Sequence, residues 1–481
     1  MPSGRRNSKP MSNPVSNYFA EFKVLKSASR DFWLTNAIQF FDGLAYFSMV
    51  TVLSIYLSTH CGFNDVDAGK WFGIYMLFVT AFMFGVGSIC DVIGIRQSYF
   101  IGFGLLAMSR LGLGLAPVWL HGESLQWVVK GILLVMALGT AFVTPVTMTS
   151  LRRYTTKAVR STGFNVYYLM MNVGAIIANA LIVDGFANIW GDVTGKLAIF
   201  DFGFLMSLCA IGCTILLRED NYAEASERAS GANDTKRPLG ILLEVWQERA
   251  FQKLLLFLAL TIGVRLVFTN QMLVMPKYYT RVIYTDFELG LASSVNPLII
   301  VLGLIAIIPI INRYATVRLI ILGMAISAFS LVFLVLPLEW VLRLPGIHNV
   351  TQAYLFIIVA QIVVFAFGEL IFMPRFTEYI ASASPPDKVS SYMALAAMPM
   401  FIAKPINGFV SGILISKYCY DGIRPKIDTG NITFGNSPEF MWLIYLILAA
   451  LSPLAVIALR NFLTHQSPAP AAATAKEGRP S

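Results

Sequence analysis

Residues 87–97 read GSICDVIGIRQ, a short polar link carrying Gly87, Asp91, Gly94 and Arg96. On each side the chain turns apolar and stays so for about 20 residues, the length an α-helix needs to cross a hydrocarbon core of roughly 30 Å. The runs 71–90 and 98–119 are therefore read as membrane helices, and the link between them as a tight turn at one membrane face. Carried outward, the same reading gives twelve spans, at 33–58, 71–90, 98–119, 126–149, 164–184, 197–217, 253–275, 291–311, 317–337, 351–374, 392–415 and 440–460. Composition agrees with this pattern. The 481 residues are 56% hydrophobic and 13% charged, about half the charged fraction of a soluble domain. The expected class is all-α, a polytopic membrane protein.

A net charge of +9 would suggest nucleic acid in a soluble chain. Here the basic residues fall in the connections between spans, where the positive-inside rule accounts for them, and no nucleic-acid partner is expected. Of the 36 Lys and Arg, 24 lie in the tails and the loops on their side, nine in the opposite loops and three inside spans. That bias places both termini in the cytoplasm of a cell-membrane protein. The expected organisation is a cytoplasmic tail at 1–32, a six-span half at 33–217, a polar cytoplasmic loop at 218–252, a second six-span half at 253–460 and a disordered tail at 461–481. Two six-span halves suggest bundles related by a pseudo-two-fold axis along the membrane normal, with spans 1, 4, 7 and 10 around a site near the midplane. Cys90, Cys209 and Cys213 fall inside spans, all four histidines fall outside them, and neither a nucleophile set nor a Walker A sequence is present. An enzyme, a metal site, a cofactor and ATP as energy source are all disfavoured.

Polar residues inside spans are costly and usually face a cavity or a partner. In the first span Gln39, Asp42 and Tyr46 stand at i, i+3 and i+7, one helical face. Thr140, Thr144 and Thr147 do the same in the fourth, and Asn165, Tyr168, Asn172 and Asn179 in the fifth. The eleventh carries Lys404, Asn407 and Ser411, with Gly408 and Gly412 forming a G-x-x-x-G surface for close helix approach. Arg110, deep in the third span, must turn inward to an acid or a set of carbonyls. In the seventh, Arg265 and Asn270 are five residues apart and point about 140° from each other. They cannot both face one cavity squarely, yet both are placed near it, with Gln271. Glu369 in the tenth span completes the set, paired with Lys404 or Arg265.

The link at 87–97 fits the G-x-x-x-D-x-x-G-x-R loop of the major facilitator superfamily, and the chain resembles that family in this motif and in its six-plus-six layout. The resemblance implies the major facilitator fold and a conformational latch formed by Asp91 and Arg96 at the cytoplasmic ends of the halves. Within the superfamily it resembles the proton-coupled oligopeptide (POT/PTR) transporters. The fifth span matches their F-x-x-x-Y-x-x-x-N-x-G pattern through Phe164, Tyr168, Asn172 and Gly174, and the tenth their G-E-x-x-x-x-P segment through Gly368, Glu369 and Pro374. The departures are specific. Gln39, Asp42 and Gly43 stand where that family has two glutamates and an arginine, Thr144 where it has a lysine, and Asn270 where it has a glutamate.

What the residues and the resemblance together imply is a secondary transporter of a small polar organic solute, peptide-like in class, working by alternating access as a proton-coupled symporter and as a monomer in the lipid bilayer. Two alternatives stay open: a proton-driven efflux antiporter of amphipathic compounds, suggested by the Phe- and Met-rich spans, and a non-transporting receptor or scaffold.

Overall fold

In the computed structural model, residues 22–219, 249–284, 287–306, 316–383 and 398–459 are described. The central polar loop and both tails lie largely outside them. The first spanning helix starts where Ser29, in an extended conformation, accepts the N–H of Phe32 on its side chain, so that α1 runs Arg30–Thr59. Asn64 does the same for α2, Asp65–Ile93, whose first turn adds Asp65 and Asp67 to the positive end of the helix dipole. Gly94 then holds φ at +88°, a backbone that L side chains resist, and the chain reverses within one residue into α3, Ile95–Trp119. This is the structural content of the glycine in the polar link. Helix α4 is Gly122–Arg153.

The fifth crossing begins as α5, Lys157–Ile176, and continues through a π-helical stretch, Ile177–Val183. The helical run that follows, α6 at Asp184–Leu216, is broken at Gly191, where φ is +79°. Its first turns complete the fifth crossing and its remainder makes the sixth. The seventh crossing, α7, is two pieces, Arg249–Leu260 and Ile262–Leu273, bent by 47° at Thr261. The N–H of Val264, next to the bend, is taken by the Ser452 hydroxyl at 3.0 Å. Then come α8, Leu289–Ala306, α9, Thr316–Val335, α10, Val350–Ala383, α11, Met398–Tyr418, and α12, Pro438–Ala458. Among the described residues seven helices are long and apolar enough to cross a membrane singly, eight when the bent pair counts as one, and Val166–Leu216, taken there as one, holds two crossings. The chain is an all-α, multi-pass membrane protein of two six-helix bundles.

Several helices outrun the expected spans. The seventh is one of them: beyond residue 275 the chain stays helical through Met275–Tyr278 and Tyr279–Ile283, so Lys277 and Arg281, expected in a loop, sit on a continuing helix.

The halves, α1–α6 and α7–α12, meet most tightly at the end of the bundle away from the chain termini, called here the far end. Helix α2 crosses α11 there at backbone contact. A Cβ built on Gly69 would lie 2.7 Å from the Gly408 carbonyl and the Gly412 Cα, and one on Gly412 would lie 2.8 Å from the Asp65 carbonyl. The two helices touch through glycines, as a G-x-x-x-G face allows. Helix α5 with its π stretch packs on α8, and the end of α7 packs on α1. The largest apolar cluster runs the length of the first half, from Phe32 and Tyr154, and crosses into the second at this end through Tyr278, Tyr354 and Trp442. Near the termini the second half has its own smaller cluster around Phe257, Phe372, Phe376 and Val456.

Candidate functional site

Between the halves lies a cavity of about 430 Å³. From α1 it receives Gln39, Asp42 and Tyr46, from α4 Thr140, Thr144 and Thr147, and from α5 Tyr168 and Asn172. The second half contributes Arg265 and Gln271 from α7, Asn296 from α8, Glu369 from α10 and Lys404 from α11. The periodicity that put Gln39, Asp42 and Tyr46 on one stripe is what aims all three at the same space. Asn270 is the exception among the residues placed there from sequence. It is fully buried and turned away, its Oδ1 accepting from Asn407 Nδ2 at 2.8 Å, while Asn407 also donates to Thr269 and accepts from Tyr445. This polar knot ties α7, α11 and α12 together inside the second half. The large angle between positions 265 and 270 leaves one of them facing the interior, and Arg265 is the one on the cavity wall.

Arg110 supplies what the first half lacks. Its guanidinium, only 2% exposed, donates to Asp42 Oδ1 at 2.9 Å and to the Ser207 hydroxyl at 2.6 Å. A cation from α3 thus neutralises the acid on α1. Removing one partner of a buried pair strands the other charge, at a cost of about 3 kcal/mol or more. Asp42→Asn is therefore expected to lower the unfolding free energy of the purified protein by about 3 kcal/mol, and the double variant Asp42→Asn, Arg110→Met to recover most of that loss. Chemical denaturation in detergent reads both.

Across the cavity Glu369 Oε2 accepts from Asn296 Nδ2 at 3.0 Å. Asn296 was not singled out from sequence, although Ser293 and Asn296 form a polar i, i+3 pair in a largely apolar span. Neither Arg265 nor Lys404 lies within ion-pair distance of Glu369 in this conformation. Arg265 instead sits in an aromatic cage, its guanidinium carbon 4.9 Å and 4.7 Å from the ring centroids of Phe372 and Phe376, with one amino group 3.0 Å from Met373 Sδ. Those three residues lie one to two turns along α10 from Glu369. Ring faces hold a cation without neutralising it. Among the described residues Lys404 has one hydrogen-bond partner, the Tyr46 hydroxyl at 3.4 Å.

A second polar group closes the far end. Asp65, at the start of α2, receives both terminal nitrogens of Arg281 at 2.8 and 2.9 Å and Lys277 at 2.7 Å, while Lys277 also donates to Ser58 at 2.6 Å. Asp184 caps α8 from the other half, taking the N–H of Gly290 at 2.7 Å and of Leu291 at 2.5 Å. Arg281 and Lys277 belong to the second half and Asp65 to the first, so these bonds join the halves. Asp65→Asn leaves two cations side by side with no acid between them. Spin labels at Thr59 and Tyr284 should then show a second, longer distance that is absent from the unsubstituted protein.

At the opposite end, Arg96 donates its backbone N–H to Glu219 at 2.7 Å and a guanidinium nitrogen to the Ile215 carbonyl at 3.1 Å, both within the first half. The side chain of Asp91 lies outside the described residues.

Residues 35–398 match the family model of the Major Facilitator Superfamily. The chain belongs to that superfamily. As a superfamily member it is a transporter rather than an enzyme. No curated relative matches it in sequence. Among solved structures it is similar to a POT family transporter in complex with 5-aminolevulinic acid, at 14% identity and a TM-score of 0.68, over 90% of this chain and 97% of that one. It is similar to a peptide transporter POT in complex with sulfate at 15% identity and TM-score 0.65, over 92% and 99%. A structure from work on substrate recognition in proton dependent oligopeptide transporters gives 16% and 0.62, over 90% and 99%. Identities this low speak for the shared major facilitator fold alone.

Proposed function

We propose that this superfamily member is a proton-coupled symporter of a small polar organic solute, peptide-like in class, that works by alternating access as a monomer in the cell membrane with both termini in the cytoplasm. The observation that carries the proposal is the state of Glu369. It lines the cavity held by a single amide, and its cationic neighbour Arg265 is parked among aromatic rings within two turns of it. A carboxylate in the membrane interior is costly unless protonated or paired. Glu369 can therefore take a proton, a solute ammonium, or Arg265 itself after release from its cage, and each choice favours a different arrangement of the halves. With the termini inside, the sealed far end faces outward and the cavity belongs to an inward-facing state. The fold shared with the POT complexes, whose ligands include 5-aminolevulinic acid, supports a solute of that size.

The test is uptake into proteoliposomes with and without an imposed proton gradient, using dipeptides and ω-amino acids as solutes. Accumulation that requires the gradient is the expected result; equal uptake in both conditions would reject coupling. Phe47, Phe268, Phe365 and Phe401 on the cavity wall favour a second reading, export of amphipathic compounds, which the same vesicles separate by direction. For the latch, Asp91→Asn at equal membrane abundance should slow turnover without changing the folded fraction.

A further inference from the structure

Charge on the cavity wall does not balance. Asp42 is neutralised by Arg110, and Glu369 has Arg265 as its electrostatic neighbour. Lys404 is left over. Among the described residues it makes no ion pair, and its ammonium has as hydrogen-bond partner the Tyr46 hydroxyl across the gap between the halves. The cavity wall is open about one turn before Tyr46 on the same helix: Gly43 lines the cavity, and a Cβ built there would meet nothing within 4 Å. An unpaired ammonium away from water is costly and is relieved by an anion. A strongly hydrated point charge beside a hydroxyl donor, with open space one helical turn away on the same cavity wall, has the chemistry of an oxyanion site.

We infer that Lys404 and Tyr46, with the open space at Gly43, form the subsite for an oxyanion group carried by the solute, a carboxylate, sulfonate or phosphonate. The inference rests on the transport reading of the same cavity and goes beyond it by naming the group and the helix that reads it. The cation comes from α11 of the second half and the hydroxyl from α1 of the first, so an anion bound here touches both halves at once. That is the position from which a ligand can bias their relative arrangement.

The subsite is tested on the purified full chain in lipid nanodiscs, by following the unfolding midpoint during titration with sodium methanesulfonate, sodium acetate or sodium sulfate at ionic strength matched with sodium chloride. A ligand that binds only the folded state raises the midpoint saturably. All three anions should do so for the unsubstituted protein and for Lys417→Gln, an exposed lysine on the same helix outside the cavity. Lys404→Gln should show no anion-specific rise. Gly43→Leu keeps the lysine but fills the space, and it too should lose the response, which decides the matter if Lys404→Gln folds poorly. The inference is overturned by a flat response in the unsubstituted protein or by an undiminished one in both variants. A response to sulfate alone also overturns it, since the site would then take free inorganic oxyanions rather than a group on an organic solute. Failure here leaves the gradient-driven uptake experiment standing, because a carrier of neutral or cationic solutes needs no such subsite. Failure of uptake with a positive anion response would instead reject the transport reading.

Discussion

Glu369→Gln should abolish accumulation while sparing exchange. With one proton moved per solute and a gradient of one pH unit, a coupled carrier accumulates an uncharged solute about tenfold, because each tenfold ratio corresponds to about 1.4 kcal/mol. Glutamine keeps the size of the side chain and can still meet the Asn296 amide, but it removes the proton site and the charge. The accumulation ratio in proteoliposomes then falls to about one, the value of a carrier that only equilibrates its solute, while exchange of labelled against unlabelled solute continues. If the variant still accumulates solute against its gradient, coupling lies elsewhere, and Asp42 with its partner Arg110 is the next place to look.

Gly408→Leu should open the far end. A Cβ at Gly408 would fall 2.5 Å from the Gly73 backbone nitrogen, with the Gly69 carbonyl 3.0 Å away. Backbone on two crossing helices cannot yield as a side-chain end does, so overpacking here falls at the upper end of its usual range, about 3 kcal/mol. Loaded onto the closed arrangement alone, that cost shifts the equilibrium away from it by about a hundredfold. Cys419 reports the shift, because it is fully buried at the far end with its carbonyl bonded to Arg281. In a background with the other four cysteines replaced by serine, an impermeant maleimide should label Cys419 at least tenfold faster in Gly408→Leu. Gly131→Leu, where an added Cβ meets nothing within 4 Å, should leave the rate unchanged. Equal labelling in both would show that the glycine crossing does not govern closure.

Much of this arrangement is legible in the sequence, because in lipid the cost of exposed polarity leaves few options. Hydropathy runs fix the number of helices, and the spacing of Gln39, Asp42 and Tyr46 fixes which face of α1 turns inward. What escapes is pairing across long separations. Arg110 demands an acid, but nothing local says that the acid is Asp42, 68 residues earlier. Lys277 and Arg281 look like ordinary loop charges to a window that scores only hydropathy. Their partner Asp65 is more than 200 residues away, and the helix that carries them continues past the apolar run on the strength of those bonds. Asn270 shows the complementary limit: its position on α7 was readable, but which neighbour faces it was not, and Asn407 with Tyr445 supplies the interior partner that lets a polar side chain turn away from the cavity.

The far-end bonds also bear on the thermodynamic poise of the cycle. A proton that crosses 100 mV of membrane potential and one pH unit releases roughly 4 kcal/mol in total, and under the proposed coupling this bounds the work available to part the halves. A seal worth much more than that would be a trap. The bonds joining Asp65 to Arg281 and Lys277, and Asp184 to the start of α8, lie at the end of the bundle, where water can reach each group once the halves part. Such contacts release one by one, each for a small net cost, and together they still outweigh thermal noise. The same driving force must also part the glycine crossing of α2 and α11 and the apolar cluster beside it.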